Sequence, residues 1–294
     1  SPKSPSAAKA TPKSPKSAKS PKSPSAAKPS PQLQNAYNDE NYIMNQNAPI
    51  PVGRFGSVPE YLHKVFNKEF KAELCTKSIN KTNKCLLRRG IRNSKHESII
   101  YALCYLLGFK SKKEFIKDIK KKLDIITFIS LDDGYICKQF MSMSEIIPED
   151  HPKLVRDYNR FIKTQQEQIT TGNLSRMLNI YYSYERFIEY ISTNSYPMEK
   201  MPQYLYSLVN KLYDITIIVW EKKDKDVQFY CPANNSLNVD LDPVIAMVLK
   251  EGKYFEPLEF KLRSTPGVKL LKLNDHPDLK TILLKCPSAD IITT

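Results

Sequence analysis

The chain has 294 residues, 41% hydrophobic and 26% charged, with 45 basic and 31 acidic side chains and a formal charge of +14. That length is ample for a substantial buried core, and the basic excess suits contact with phosphates or an acidic partner. No apolar run approaches the roughly 20 residues of a membrane-spanning helix, and no secretory leader is evident. The six cysteines include no C-x-x-C pair, so no structural zinc and no cofactor are expected. A chain this long folds without disulfides, so free thiols in a reducing compartment are the expectation.

Residues 1–31 hold seven of the lysines and no acid; taking those seven from 45 leaves 38 basic against 31 acidic residues, or +7 for the remainder. SPKSPSAAK occurs at 1–9 and again at 20–28. A segment of Pro, Ser, Ala and Lys buries nothing that offsets its ordering entropy, so residues 1–36 read as a disordered tail or linker. Its Ser/Thr-Pro-Lys repeats resemble linker-histone tails. Lysines such as Lys3, Lys13, Lys16 and Lys22 on an extended chain release counterions from DNA without reading sequence. The plainer reading is a solubilising linker.

Residues 37–57 are polar and read as an extended lead-in, and 58–294 as a single domain. Val58, Tyr61, Leu62, Val65, Phe66 and Phe70 fall at helical spacing. KCLLRRGI (84–91) suits a strand or turn. Glu97 to Leu107 is an apolar helix closed by Gly108, and Ser111 caps a lysine-rich helix after it. Residues 152–194 and 201–213 are helical. From 214 the texture becomes β-branched and aromatic: 214–221, 226–232, 243–250 and 253–260 read as strands, followed by a strand and a short helix before Cys286. Helices followed by a mostly antiparallel sheet make an α+β fold.

A papain-like or OTU-like cysteine protease sets its thiol on the first turn of a helix, where the dipole and free N–H groups favour the thiolate. A histidine on a later strand acts as base. Here Ser98 holds the helix start, and Cys104 lies deeper on the apolar face, in the place of a small core residue. KYFEPLEF (253–260) has no histidine. His96 and His276 read as surface residues. NKCLLRR (83–89) echoes the D-G-N-C-L-F-R stretch of ovarian-tumour-type proteases, which makes Cys85 the runner-up nucleophile, although Gly90 interrupts the helix that should follow. Arg88, Arg89, Arg92 and Lys95 form a compact basic cluster before the helix, a candidate phosphate contact; a solvated loop is the competing reading. Lys110 to Lys122 reads as an exposed helix face.

Leu87-Arg88-Arg89-Gly90-Ile91 followed by Ser98-Ile99-Ile100, then Tyr204-Leu205-Tyr206-Ser207, the strand 215–221, the run 227–232, and Tyr254-Phe255-Glu256-Pro257-Leu258 make up a series of short motifs. In order and spacing this series resembles the large subunit of the early transcription factor of nucleocytoplasmic large DNA viruses. The resemblance covers roughly residues 85–260; Tyr206-Ser207 replaces a Trp-Asp pair, and the tail has no counterpart. It implies a papain/OTU-like domain with degenerate catalytic positions, Ser98 for the cysteine and Tyr254 for the histidine. It also implies a non-catalytic module of a viral early transcription complex, with RNA polymerase subunits as partners, DNA contacted through the basic tail and loop, no membrane, and location in the cytoplasmic viral factory and the virion. The alternatives are an active viral cysteine protease or deubiquitinase using Cys85 or Cys104, and a virion DNA-packaging component with a histone-like tail.

Overall fold

The computed structural model describes residues 39–45, 49–66, 71–91, 97–165, 173–193, 201–223, 226–232 and 241–286. The tail with Lys3, Lys13, Lys16 and Lys22, and the loop residues Arg92, Lys95 and His96, lie outside the described residues. From Asp39 onward the chain clusters as one compact unit.

Two short strands, β1 (Ile43–Met44) and β2 (Phe55–Ser57), come from the segment read as a lead-in. They are followed by α1 (Glu60–Val65) and β3 (Cys85–Arg89). A helical block comes next: α2 (Ser98–Leu107), α3 (Lys112–Lys122), α4 (Ile125–Ser130), α5 (Tyr135–Phe140), α6 (Pro152–Gln165), α7 (Leu174–Ser192) and α8 (Met201–Tyr213). The chain then returns to strands β4 (Ile215–Lys223), β5 (Asp226–Tyr230), β6 (Val244–Glu251), β7 (Tyr254–Lys261) and β8 (Leu270–Lys272), and closes with α9 (Pro277–Leu283). The architecture is α+β.

The sheet runs β1-β2-β3-β7-β6-β4-β5, with β8 paired to β6. β1 and β2 are parallel, as are β4 and β6; the other neighbours are antiparallel. Helices therefore do not simply precede the sheet. β3 is laid against the later half of β7, which the chain reaches only after traversing the helical block, and β2 and then β1 extend the sheet outward from β3.

Alternation along the strands sends successive residues to opposite faces. Ile215, Ile217 and Val219 of β4, with Ala246, Val248 and Phe255, join the core of the helical layer. Ile218, Trp220, Met247, Leu249 and Phe260 join a second core with α1, α9 and Leu62, Phe66 and Cys75. Both faces are covered, which explains why β4 and β6 read as continuous apolar runs rather than alternating ones.

Local signals hold where they are chemically specific. Gly108 ends α2 at φ +80°, and the Ser111 hydroxyl accepts the Glu114 N–H at the start of α3. Gly90 stands where a Cβ would meet the Pro51 carbonyl oxygen at 2.0 Å. Its N–H donates to the Arg54 carbonyl, and its carbonyl accepts from Gly53. Any larger residue there would push the early strands off the end of β3.

Candidate functional site

The place to look is where the N-terminus of α2 meets β7. β3 pairs with β7 only from Leu258 to Lys261. Among the described residues no strand pairs with the outer edge of β7 from Tyr254 to Pro257, and the start of α2 lies against it. The Ser98 hydroxyl, 2% exposed, accepts the Phe255 N–H at 3.1 Å and donates to the Lys253 carbonyl at 3.3 Å. It thus continues a ladder that β3 abandons, with one side chain doing the work of a strand residue. Beside it, Glu97 pairs with Lys112 of α3 at 2.5 Å, tying the helix start to its neighbour.

Ser98 and Tyr254 are brought together, but not across a groove. Ser98 brackets the main chain of Tyr254. The Tyr254 side chain belongs by alternation to the face of Glu256 and Leu258, whereas Phe255 and Glu259 belong to the α2 face. The register supports this, since Tyr254 pairs with Glu251 and Phe255 with Lys250, and Glu259 accepts the Tyr105 hydroxyl of α2 at 2.9 Å on each oxygen.

The runner-up nucleophile is corrected. Cys85 is fully buried at the start of β3 and is disulfide-bonded to Cys75; no thiolate is available there. Cys231 and Cys286 form a second disulfide between the residue after β5 and the turn that follows α9. The expectation of free thiols throughout fails for these four, because the fold brings each pair to a Cα separation of 5.6 Å, within bridging range. Cys104 and Cys137 remain as free, buried thiols. Burial pushes the Cys104 thiol up to about 12, against the opposing pull of Lys112, so it is a protonated core group at neutral pH. Burial also raises Cys137.

The described histidines sit elsewhere. His63 lies on α1 and His276 stacks on Phe260 at 5.5 Å, both on the far side of the sheet from α2. His151 is an exposed residue just before α6. Among the described residues no group of three His, Cys, Asp or Glu is placed to hold a metal ion, and no helix is long and apolar enough to cross a membrane.

The basic cluster before α2 divides. Arg88, expected at a phosphate-contacting surface, is 0% exposed. Its Nη1 donates to Glu256 at 2.9 Å and stands 3.6 Å from Glu251, its Nε donates to the Ser57 carbonyl at 2.8 Å, and its Nη2 donates to the Asn45 carbonyl at 3.3 Å. Glu256 also accepts the Ile50 N–H at 2.8 Å, and Lys222 pairs with Glu251 at 2.9 Å. Burial raises the Glu256 carboxyl, with Arg88 pulling it back down. This network binds the early strands to β7 and encloses Arg88 away from any nucleic acid. Arg89 points the other way and is half-buried, its guanidinium 4.3 Å over the Phe55 ring. Lys269 covers the Tyr105 ring at 3.8 Å. Two adjacent arginines in one strand must face opposite sides, and that signal was available in the sequence. The role of Ser98 was not, since it depends on where β3 stops.

No protein-family model matches the chain, and no curated protein matches it.

Proposed function

We propose that this chain is a non-catalytic interaction module of a viral early transcription complex, built on a degenerate cysteine-protease-like scaffold. It contacts protein partners such as RNA polymerase subunits, with DNA phosphates as a further target. The observation that carries the reading is the use made of Ser98. The residue at the nucleophile position spends its hydroxyl on the β7 main chain, so the helix start works as a structural clasp. A residue committed in this way is free of the geometric demands of catalysis. The motif series from Leu87 to Leu258 supplies the viral assignment. The two disulfides favour the virion over a reducing cytosol as the setting in which this fold persists.

The active-protease alternative loses support with Cys85 oxidised and Cys104 buried and protonated. Two experiments test the proposal. Incubation of the chain with an electrophilic ubiquitin probe should label no cysteine; a covalent adduct at Cys85 or Cys104 reinstates the protease. Affinity purification from infected cells should recover RNA polymerase subunits. Recovery of packaged genome without them transfers the chain to the packaging role.

A further inference from the structure

The cations of α3 are arranged differently from Arg88. At about 100° per residue, Lys113, Lys117, Lys120 and Lys121 fall within an arc of roughly 100° and along roughly 12 Å of axis. Lys110 precedes them. All five are exposed. The opposite side of the helix, Phe115, Ile116 and Ile119, is buried in the core of the helical layer. The remaining lysines of the helix are spoken for. Lys112 pairs with Glu97, and Lys122 pairs with Asp118 at 2.9 Å while lying 4.3 Å over the Tyr213 ring. None of the other five forms an ion pair among the described residues. Glu114, also exposed, borders the arc at about 100° per residue and accepts the Lys110 main-chain N–H at 2.9 Å. Against its burial, hydrogen bonds from Lys122 and Tyr213 hold Asp118 low with Lys121 adding to them, and Lys120 pulls down Glu185 of α7, whose carboxyl burial raises.

We infer that this face of α3 is a docking surface for the phosphate backbone of duplex nucleic acid, without sequence preference. The inference rests on the reading of the domain as a binding module and assigns the phosphate contact to α3 rather than to β3. Three features favour this partner over others. Four unpaired ammonium groups over about 12 Å match the rise of three to four phosphates on one strand. The arc carries no exposed aromatic side chain on which single-stranded bases would stack. The apolar side of α3 is already buried, so the helix cannot lie in a bilayer interface as an amphipathic anchor does.

The test measures binding of the full chain to a fluorescently labelled random-sequence duplex of about 20 base pairs, by anisotropy, at about 50 to 200 mM salt. Replacing Lys113, Lys117, Lys120 and Lys121 together by Gln should flatten the log–log salt dependence by about 3 to 4 and weaken binding most at low salt. The Lys→Arg set should retain slope and affinity. Far-UV circular dichroism identifies any variant that fails to fold, in which case the four single Lys→Gln changes, each expected to lower the slope by about one, take its place. An unchanged slope in the folded variants, no duplex binding by the parent chain, or preference for phosphatidylserine vesicles over duplex would each overturn the inference. None of these outcomes bears on the ubiquitin-probe result, so the scaffold reading stands or falls separately.

Discussion

Two basic stretches flank α2, residues 87–95 before it and 110–122 after it, and composition alone treats them alike. The structure uses them in opposite ways. Arg88 is enclosed by Glu256, Glu251 and two carbonyls and holds the early strands on β7. Lys113, Lys117, Lys120 and Lys121 stand exposed on the side of α3 opposite its buried apolar stripe. The difference lies in the element that carries them. A strand inside a sheet covered on both faces buries nearly all of its residues, whereas a helix on the outside of a core buries one stripe and leaves the rest free. Charge in a strand is thus a folding device here, and charge on the outer helix is surface chemistry.

Substitution should separate the two. The largest effect is expected at Arg88. Arg88→Ala strands two carboxylates beside the sheet and should cost about 3–5 kcal/mol in urea unfolding, whereas the paired change Arg88→Met with Glu256→Met should recover most of that loss. A loss below about 1 kcal/mol for the single change would mean that the cation is not enclosed. Ser98→Ala comes next. It leaves the buried Phe255 N–H without an acceptor and should cost about 1–3 kcal/mol, with faster amide exchange at Phe255 as the local readout. A Ser98→Ala chain of unchanged stability but altered ligand binding would instead make Ser98 a site residue. At the lysine face, the Lys113→Gln change should move stability by no more than about 0.5 kcal/mol; a larger loss would show that α3 depends on its outer charges.

The smallest expected effect is in the helix between the two stretches. The Cys104 pKa is raised, so its thiol stays protonated below about 12. Alkylation of Cys104 in the native chain should therefore not accelerate as pH rises from about 7 to about 9, the interval in which an ordinary thiol ionises. Mass spectrometry of iodoacetamide-treated native and denatured protein reads this directly. Rapid native labelling would place a reactive thiolate at α2 and revive the enzyme alternative.

Much of the secondary structure was legible because its signals are local. The apolar stripe of α2, the Ser111 cap, the glycine at 108 and the β-branched runs of β4 and β6 each depend on a few neighbouring residues. Where the reading went astray, the cause was long-range pairing. Residues 55–57 and 43–44 carry little β signal of their own and become strands because β3 offers a ladder to the first and the first offers one to the second. Cys75 with Cys85, and Cys231 with Cys286, carry no spacing signature, and only the fold shows that they are neighbours. Ser98 reads as a failed nucleophile, but its hydroxyl partners lie on the residue before β7 and on β7 itself, 155 and 157 positions away.

By itself, the sequence determined the α+β class, the order of the helices and late strands, the lysine-rich outer face of α3 and the apolar character of α2. These follow from periodicity and from the residue-specific geometry of caps and turns. Tertiary structure alone decided that Arg88 is a buried tie, that Cys85 is oxidised, and that Ser98 closes a ladder left open by β3. Each of those outcomes depends on which distant chain segment arrives alongside, and a buried polar group takes its role from the partner that satisfies it.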